Sequence, residues 1–176
     1  MSLSFRKATP ADAASVLTLV RSAYRGESSR AGWTTEADLV ADDRIDTPGV
    51  VAKITEPRGA ILLASDPTSG DVVSCCEVLC RDDDVAYFGL FAVDPKKQAG
   101  GVGRKVLEYA EAFAKKEFGA RHMEMWVIWP REELIAWYIR RGYQKTSRTA
   151  PFPYEHLVNG KALRDDLYFV TLDKEL

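Results

Sequence analysis

The sequence contains few histidines and cysteines, the residues that form zinc sites and disulfides. It has two histidines and three cysteines, and the cysteines lie close together at Cys75, Cys76 and Cys80. Adjacent cysteines do not suit a disulfide framework, and no histidine is near enough in the sequence to complete a zinc site with them. The pattern therefore predicts three reduced thiols packed in or beside a sheet, and it predicts no metal cofactor.

An excess of positive charge is also lacking. The chain has 24 Lys and Arg residues against 26 Asp and Glu residues, which gives a formal net charge of -2. Proteins that bind nucleic acids or anionic membranes usually carry a clear basic excess. The composition therefore argues against both classes of partner.

Long hydrophobic stretches are absent as well. The first ten residues, MSLSFRKATP, contain no apolar segment of the kind found in a signal peptide. The longest apolar run, Val85–Val93, is about half the length of a membrane span. We therefore expect a soluble, cytoplasmic protein. Hydrophobic residues make up 46% of the 176 residues, enough for the core of one domain that covers 1–176.

The periodicity of apolar residues predicts alternating strands and helices. Strands are expected at 3–8, Gly59–Ser65, Val72–Cys80, Val85–Val93, His122–Ile128, 143–147 and 166–176. Helices are expected after Pro10, from Glu36 with Thr35 as its cap, over 102–118, and from Pro130 to Gly142. Short polar turns join the strands between 59 and 93, which predicts an antiparallel meander. The order predicts an α/β domain with a mixed, mostly antiparallel sheet of about seven strands, flanked by about four helices.

A glycine-rich segment separates a buried strand from the longest helix. Its pattern is Gln98-x-x-Gly101-x-Gly103, and it carries four cations: Lys96, Lys97, Arg104 and Lys105. Unpaired N–H groups and the positive end of the helix dipole favour an anion at a helix N-terminus. Glycines allow a close approach of the backbone and φ values that other residues avoid. The segment therefore predicts a site for a pyrophosphate.

Three alternatives to a pyrophosphate site fit these glycines to different degrees. A plain turn between a strand and a helix remains open. A dinucleotide-binding fingerprint fits poorly, because Val106 stands where its third glycine should be and antiparallel strands precede the segment. A P-loop is excluded, because no Gly-Lys-Ser/Thr follows.

Two motifs in this order resemble the GNAT superfamily of acyl-CoA-dependent N-acyltransferases. The first is the strand LFAVDP followed by QAGGVG and a helix, and the second is the helical segment WYIRRGY. The family pattern is Gln/Arg-x-x-Gly-x-Gly/Ala after a buried strand, with Tyr-x-x-x-Gly-Phe/Tyr on a later helix. The matching residues are Gln98, Gly101, Gly103, Tyr138, Gly142 and Tyr143. The predicted element order is also similar to the family fold over nearly the whole chain.

The resemblance implies that acetyl-CoA is the acyl donor. In the family the pyrophosphate lies on backbone N–H groups of the segment that corresponds to 98–104. The pantetheine arm pairs with the end of the preceding strand, where that strand diverges from the strand that corresponds to His122–Ile128. The cofactor-binding residues implied here are Phe91, Ala92, Val93, Gln98, Ala99, Gly100, Gly101, Val102, Gly103 and Arg104.

Acyl transfer to an amine requires that the amine lose a proton and that the thiolate gain one. Tyr138 is the candidate general acid, because the resemblance places its hydroxyl near the sulfur; core packing of Tyr138 is the alternative. Only about one in 10³ lysine-like amines is neutral at pH 7, so a base would help. Glu77, alone in an apolar strand, is the candidate base, although a solvated position or a reaction without any base residue remains open.

The acceptor is expected to contact the first helical region and the loop before the last strand, which select substrates in the family. Candidate residues are Tyr24, Trp33, Glu36, Phe152, Tyr154 and His156, and an exposed loop position is the alternative for His156. The absence of an obvious basic patch away from the phosphate site favours a cationic or neutral amine. The sequence thus predicts an N-acetyltransferase that acts on a primary amine of a small molecule or peptide; the alternative is a non-catalytic acyl-CoA-binding sensor or scaffold. The resemblance also implies a homodimer formed through terminal strands.

Overall fold

A computed structural model describes residues 2–25, 29–30, 32, 34–98 and 100–176. The strands are β1 (Ser4–Lys7), β2 (Val40–Ala41), β3 (Gly59–Ser65), β4 (Val72–Cys80), β5 (Val85–Val93), β6 (His122–Ile128), β7 (Gln144–Pro151), β8 (Lys161–Ala162) and β9 (Tyr168–Glu175). The helices are α1 (Ala13–Tyr24), α2 (Thr47–Ile54), α3 (Val102–Phe118) and α4 (Glu132–Arg140). None of these helices has the length and apolar character needed to cross a bilayer.

Seven strands form one sheet in the order β1-β3-β4-β5-β6-β9-β7, and β2 pairs with β8 separately. The strands β3, β4 and β5 form the predicted antiparallel meander. Among the strands that the structure describes, only the β5–β6 pair is parallel, and β5 lies at the centre of the order. The predicted mixed fold, with its mostly antiparallel sheet and four helices, is confirmed.

Two cores lie on opposite faces of the sheet, because successive side chains of a strand point in opposite directions. In β3, Leu62 packs with the cluster beneath α3 and α4. The next residue, Leu63, packs with the cluster beneath α1 and α2. The central strands are thus covered by helices on both sides.

The predicted helix from Glu36 is wrong. Thr35 accepts a hydrogen bond from the Ala37 N–H at 3.0 Å, but residues 36–39 form only a turn that leads into β2. The helix of this region is α2, further along the chain. Its first turn is capped by Asp46, whose carboxylate accepts from the Gly49 N–H at 2.9 Å.

The helix predicted from Pro130 begins two residues later, at Glu132. The Arg131 N–H donates to the Ile128 carbonyl at 3.0 Å, so residues 128–131 form a turn before the helix. This turn places Arg131 just beyond the end of β6.

The three cysteines are free thiols and buried, as predicted. Burial raises the pKa of Cys75 to about 12 and that of Cys76 well above its ordinary value. Both thiols therefore remain protonated near neutral pH and pack as small apolar side chains.

An extra residue in β5 changes the register of the sheet centre. Cys75 faces Ala92 across the β4–β5 pair, whereas Glu77, two residues further, faces Gly89, three residues away. The unmatched step includes Leu90, which has a φ of 48°. Such a β-bulge bends a strand and redirects its side chains.

The parallel pairing of β5 with β6 ends just before this bulge. The paired residues are Val85 with His122, Ala86 with Met123 and Tyr87 with Glu124. Beyond Tyr87 the two strands diverge, because β6 continues on β9 while β5 continues on β4. The sheet therefore opens at its centre, and this opening contains the candidate site.

Candidate active site

Two adjoining cavities occupy the opening between β5 and β6. The first, here called the loop-side cavity, has a volume of about 220 Å³ and is bounded by the glycine turn, the end of β5 and α4. The second, the strand-side cavity, has a volume of about 280 Å³ and lies between β5, β6 and the region after α1. The residues that line both are Tyr24, Phe91, Arg131, Leu134 and Tyr138.

The glycine turn leaves the start of α3 open. Gly100 and Gly101 have φ values of 84° and 76°, in the left-handed region that favours glycine. Gly101 caps the helix without a side chain, and the first hydrogen bond of the helix runs from the Lys105 N–H to the Gly101 carbonyl at 3.1 Å. The N–H groups of residues 102–104 therefore have no acceptor within the helix.

Gly103 is required for a close contact between α3 and its neighbours. A Cβ at this position would lie 3.3 Å from Cζ of Phe91 and 3.6 Å from Cζ2 of Trp137. A larger side chain would therefore displace the aromatic rings or fill the entrance of the loop-side cavity. This combination of free N–H groups and a cradle without side chains fits a pyrophosphate.

The structure brings most of the sequence-predicted cofactor residues to the loop-side cavity. Those that line it are Phe91, Val93, Gln98, Gly101, Gly103 and Arg104. Ala92 and Val102 are buried in the two cores instead. Gly100 forms the turn without lining the cavity, and Ala99 lies outside the described residues.

Tyr138 lies where the two cavities meet. Its side chain is 4% exposed, and its ring packs edge-on against Trp137 and Tyr143. Within the described part of the chain, no residue forms a hydrogen bond with its hydroxyl, and Tyr138 lines both cavities. Burial raises the pKa of Tyr138 well above its ordinary value, so the hydroxyl stays protonated and can donate.

Glu77 lies behind the wall of the strand-side cavity and does not line either cavity. Both of its carboxylate oxygens accept from Nζ of Lys53, on α2, at 3.0 and 3.1 Å. Its Oε1 lies 3.3 Å from the position of a Cβ built on Gly89, and Gly89 lines the cavity. The ion pair with Lys53 gives this buried carboxylate a structural role that competes with the predicted role as a base.

The predicted acceptor residues are separated by the structure. Tyr24 lines both cavities and Glu36 lines the strand-side cavity. Tyr154 lines neither, and its hydroxyl accepts from the Leu167 N–H at 2.7 Å. Trp33 lies outside the described residues.

Glu36 joins two arginines inside the protein. Its Oε1 accepts from Nε of Arg25 at 2.9 Å, and its Oε2 accepts from Nη1 of Arg131 at 2.7 Å. Burial opposes the charged form of Glu36, but attraction by Arg131, Arg25 and Arg44 outweighs it and lowers the pKa. The carboxylate therefore stays ionised and connects the segment after α1 to the turn before α4.

Sequence reasoning missed the arginines of the strand-side cavity. Arg25, Arg44 and Arg131 all line it, together with the carboxylates of Glu36 and Asp42. The expectation that no basic patch exists away from the phosphate site is therefore wrong. Arg131 lies in the turn between β6 and α4, far in the sequence from Arg25 and Arg44, and the three come together through tertiary contacts.

Comparison with known proteins agrees with this geometry. Residues 57–145, slightly more than half of the chain, match the model of the acetyltransferase (GNAT) domain. The chain therefore belongs to the GNAT acetyltransferase family, and it is an acyltransferase. No curated protein is similar enough in sequence to count as a match.

Several solved structures share the fold at low sequence identity. PaiA N-acetyltransferase from Thermoplasma acidophilum, in complex with coenzyme A, is 15% identical with a TM-score of 0.68, and the match covers 100% of each chain. YncA from Salmonella typhimurium, with its cofactor acetyl-CoA, is 17% identical with a TM-score of 0.67 and covers 100% of this chain and 95% of that chain. A GNAT-family acetyltransferase from Staphylococcus aureus Mu50 is 12% identical with a TM-score of 0.70, over 99% of each chain. At these identities the likeness concerns the fold.

We expect Glu36→Gln to destabilise the protein by about 3–5 kcal/mol near neutral pH, because it leaves the buried guanidinium of Arg131 without its carboxylate and leaves Arg25 with Asp42 alone. The pKa of Glu36 is lower in the folded protein than its ordinary value of 4.5. Its stabilisation is therefore complete above that value and is lost as the pH falls through the folded pKa. Urea unfolding at several pH values should show a difference between wild type and variant that shrinks in acid.

A matched control is Asp38→Asn, which breaks an ion pair with Arg30 in which the Asp38 side chain is 75% exposed. We expect a much smaller change in stability from this variant, because surface ion pairs contribute little. Equal losses for the two variants would contradict the structural role assigned to Glu36.

Proposed function

We propose that this protein is an N-acetyltransferase that transfers the acetyl group of acetyl-CoA to a primary amine of a small molecule or peptide by direct attack. Tyr138 acts as the general acid. The observation that carries the proposal is the position of Tyr138, which lines both cavities and whose protonated hydroxyl has no hydrogen-bond partner among the described residues. The cofactor occupies the loop-side cavity and the amine occupies the strand-side cavity.

The residues of the loop-side cavity fit coenzyme A. The free N–H groups of residues 102–104 and the side chain of Arg104 are suited to the pyrophosphate. The end of β5 has no partner strand on the β6 side, so its backbone is available to the pantetheine arm. Two of the proteins with the same fold hold coenzyme A or acetyl-CoA, which supports this choice of donor.

Acetyl-CoA supplies a thioester whose carbonyl the amine attacks and whose sulfur leaves as a thiolate. Tyr138, which its raised pKa keeps protonated in the neutral range, donates a hydrogen bond to that sulfur and passes its proton as the C–S bond breaks. Phe91 and Leu134, which line both cavities, exclude water from the place where the two substrates meet.

Acetyl transfer also requires a group that removes a proton from the amine. Glu77 remains the predicted base, acting through water from behind Gly89, and its ion pair with Lys53 is the competing reason for its burial. Tyr24 and Glu36 are retained as acceptor-side residues because they line the strand-side cavity. The proposed reaction uses no metal, nucleic acid or membrane.

The same proposal places the enzyme in the cytoplasm, where its three buried cysteines would stay reduced. A homodimer formed through terminal strands remains a prediction. Because β7 lies at one edge of the sheet, its free edge is the surface such a contact would use.

The experiment that separates an enzyme from a binding module is a turnover screen. The purified protein is mixed with acetyl-CoA and a panel of amino acids, polyamines, aminoglycosides and peptide amines, and the free thiol of coenzyme A is measured. Thiol release that depends on an amine supports the proposal. Tight binding of acetyl-CoA with no turnover of any amine would favour the acyl-CoA sensor or scaffold.

Gly103→Glu should abolish the stabilisation by coenzyme A, because the new carboxylate crowds and repels the pyrophosphate at the start of α3. With the ligand at about 100 times its dissociation constant, we expect a thermal shift of about 5–10 °C for wild type and little for the variant. Ala112→Glu adds the same charge to an exposed position of the same helix and should keep the full shift. An unchanged shift in Gly103→Glu would place the cofactor elsewhere.

Tyr138→Phe should lower kcat by about 10²-fold, because it removes the proton donor while keeping the aromatic ring. The dissociation constant of acetyl-CoA should change little, as measured by calorimetry. Tyr143→Phe is the matched control, because it removes a buried hydroxyl that donates to Oε2 of Glu111 at 2.8 Å and lines neither cavity. Wild-type turnover in Tyr138→Phe would eliminate this residue as the acid.

Glu77→Gln should reduce kcat/KM most at low pH if Glu77 is the base, because few acceptor amines are neutral there. Lys53→Met breaks the same ion pair but keeps the carboxylate, so it should lower stability without the same pH-dependent loss of rate. A small, pH-independent effect on rate in Glu77→Gln, with equal losses of stability in both variants, would show that the pair is structural.

A further inference from the structure

Arg44 carries a guanidinium group that forms no hydrogen bond or ion pair with the residues that the structure describes. It is half-buried, it lines the strand-side cavity, and its Cζ lies 5.0 Å from the centre of the Tyr24 ring. The other two arginines of the cavity are engaged, since Arg25 and Arg131 both bind Glu36.

The carboxylates near Arg44 are already satisfied. Asp42 is bound by the guanidinium of Arg25 and accepts from the Val158 N–H at 3.0 Å. Glu36 shares its two oxygens between Arg25 and Arg131. Three arginines and two carboxylates line the cavity, so with His156 neutral the lining has one positive charge in excess.

The backbone holds Arg44 in a conformation that non-glycine residues rarely adopt. Its φ is 67°, and Oδ1 of Asp42 accepts from its N–H at 3.1 Å. The next residue, Ile45, is buried in the cluster beneath α1 and α2. Contacts on both sides therefore fix the direction of the Arg44 side chain, and such constrained positions occur at ligand sites more often than elsewhere.

The rest of the strand-side cavity is apolar and small. Aromatic side chains form one wall: Tyr87, Trp126, Phe152 and Phe169. Tyr138 closes the side that faces the loop-side cavity. A volume of about 280 Å³ suits a small molecule rather than a folded polypeptide.

We propose that Arg44 binds an anionic group of the acceptor, so that the acceptor is a small amine that carries a carboxylate and an apolar side chain, as free amino acids do. The guanidinium fork matches a carboxylate with two parallel hydrogen bonds, and burial strengthens the attraction. The inference rests on the proposed acetyl transfer to an amine. It differs from the expectation of a cationic or neutral amine, because the proposed acceptor carries a carboxylate that binds Arg44.

The test compares pairs of acceptors with and without the anionic group. Because loss of the carboxylate also lowers the pKa of the α-amine, kcat/KM is expressed per neutral amine for every acceptor. Thiol release from acetyl-CoA is measured with leucine, methionine and phenylalanine and with their carboxamides, and spermidine represents polycations. For wild type we expect kcat/KM at least about 10-fold higher for the amino acids than for the amides. Arg44→Gln should reduce kcat/KM for the amino acids about 10- to 100-fold, mainly through KM, and should leave the amides unchanged.

Two further variants show whether the effect belongs to this guanidinium. Arg164→Gln is the matched control, because Arg164 also lies over an aromatic ring, Trp129, at 4.9 Å, but outside the cavity; it should leave both acceptor series unchanged. Arg44→Lys keeps the charge without the fork, so it should recover part of the preference and serves as the test variant if Arg44→Gln does not fold. Calorimetry should give the wild-type affinity for acetyl-CoA in all three variants.

Preference for the amides or for spermidine would overturn the proposal, and so would an equal loss for acids and amides in Arg44→Gln. If no acceptor is turned over, phenylalanine and its amide are titrated into protein saturated with coenzyme A. If phenylalanine binds, its amide does not, and Arg44→Gln abolishes the binding, the anion site at Arg44 would be supported even though no acetyl transfer was detected. Binding that requires neither would overturn the anion site independently of the reaction.

Discussion

The arrangement of the site depends on the point at the sheet centre where β5 leaves β6. An extra residue at Leu90 bends β5, and its pairing with β6 ends at Tyr87. An intact parallel pair would fill this space with backbone hydrogen bonds and side chains. The divergence instead creates two cavities that share a wall, and it leaves backbone polar groups of β5 without a neighbouring strand. Two ligands, one in each cavity, can therefore come into contact at this shared wall without passing through the core.

The pairing of arginines with carboxylates inside the protein explains which charged groups of the cavities are available to bind a ligand. Glu36 neutralises Arg25 and Arg131 and ties the segment after α1 to the turn before α4. The carboxylate of Asp42 accepts a hydrogen bond from Nη1 of Arg25. Since the carboxylates are used within the protein, the excess positive charge falls on Arg44. Tyr138 is neutral for a different reason, because burial disfavours its phenolate.

Parts of the fold and site that depend on short-range patterns were predictable. The antiparallel meander followed from three apolar runs separated by polar turns, and the glycine turn followed from the spacing of Gly101 and Gly103. The region after α1 was not predictable in this way. Glu36 resembles a helix start next to Thr35, but its side chain is drawn into ion pairs with residues up to 95 positions away. Long-range charge pairing thus outweighed a local helix signal.

The sequence by itself determined the α/β class, the order of the main strands, the glycine turn and the helix that carries Tyr138, because each depends on residues within a few positions of one another. Only the tertiary structure decided that Arg25, Arg44 and Arg131 meet in one cavity, that Glu77 faces Lys53, and that Tyr154 lies apart from the site. These outcomes depend on the bulge in β5 and on which side chains donate hydrogen bonds to each buried carboxylate. Neither can be read from spacing, because both result from contacts between segments distant in the chain.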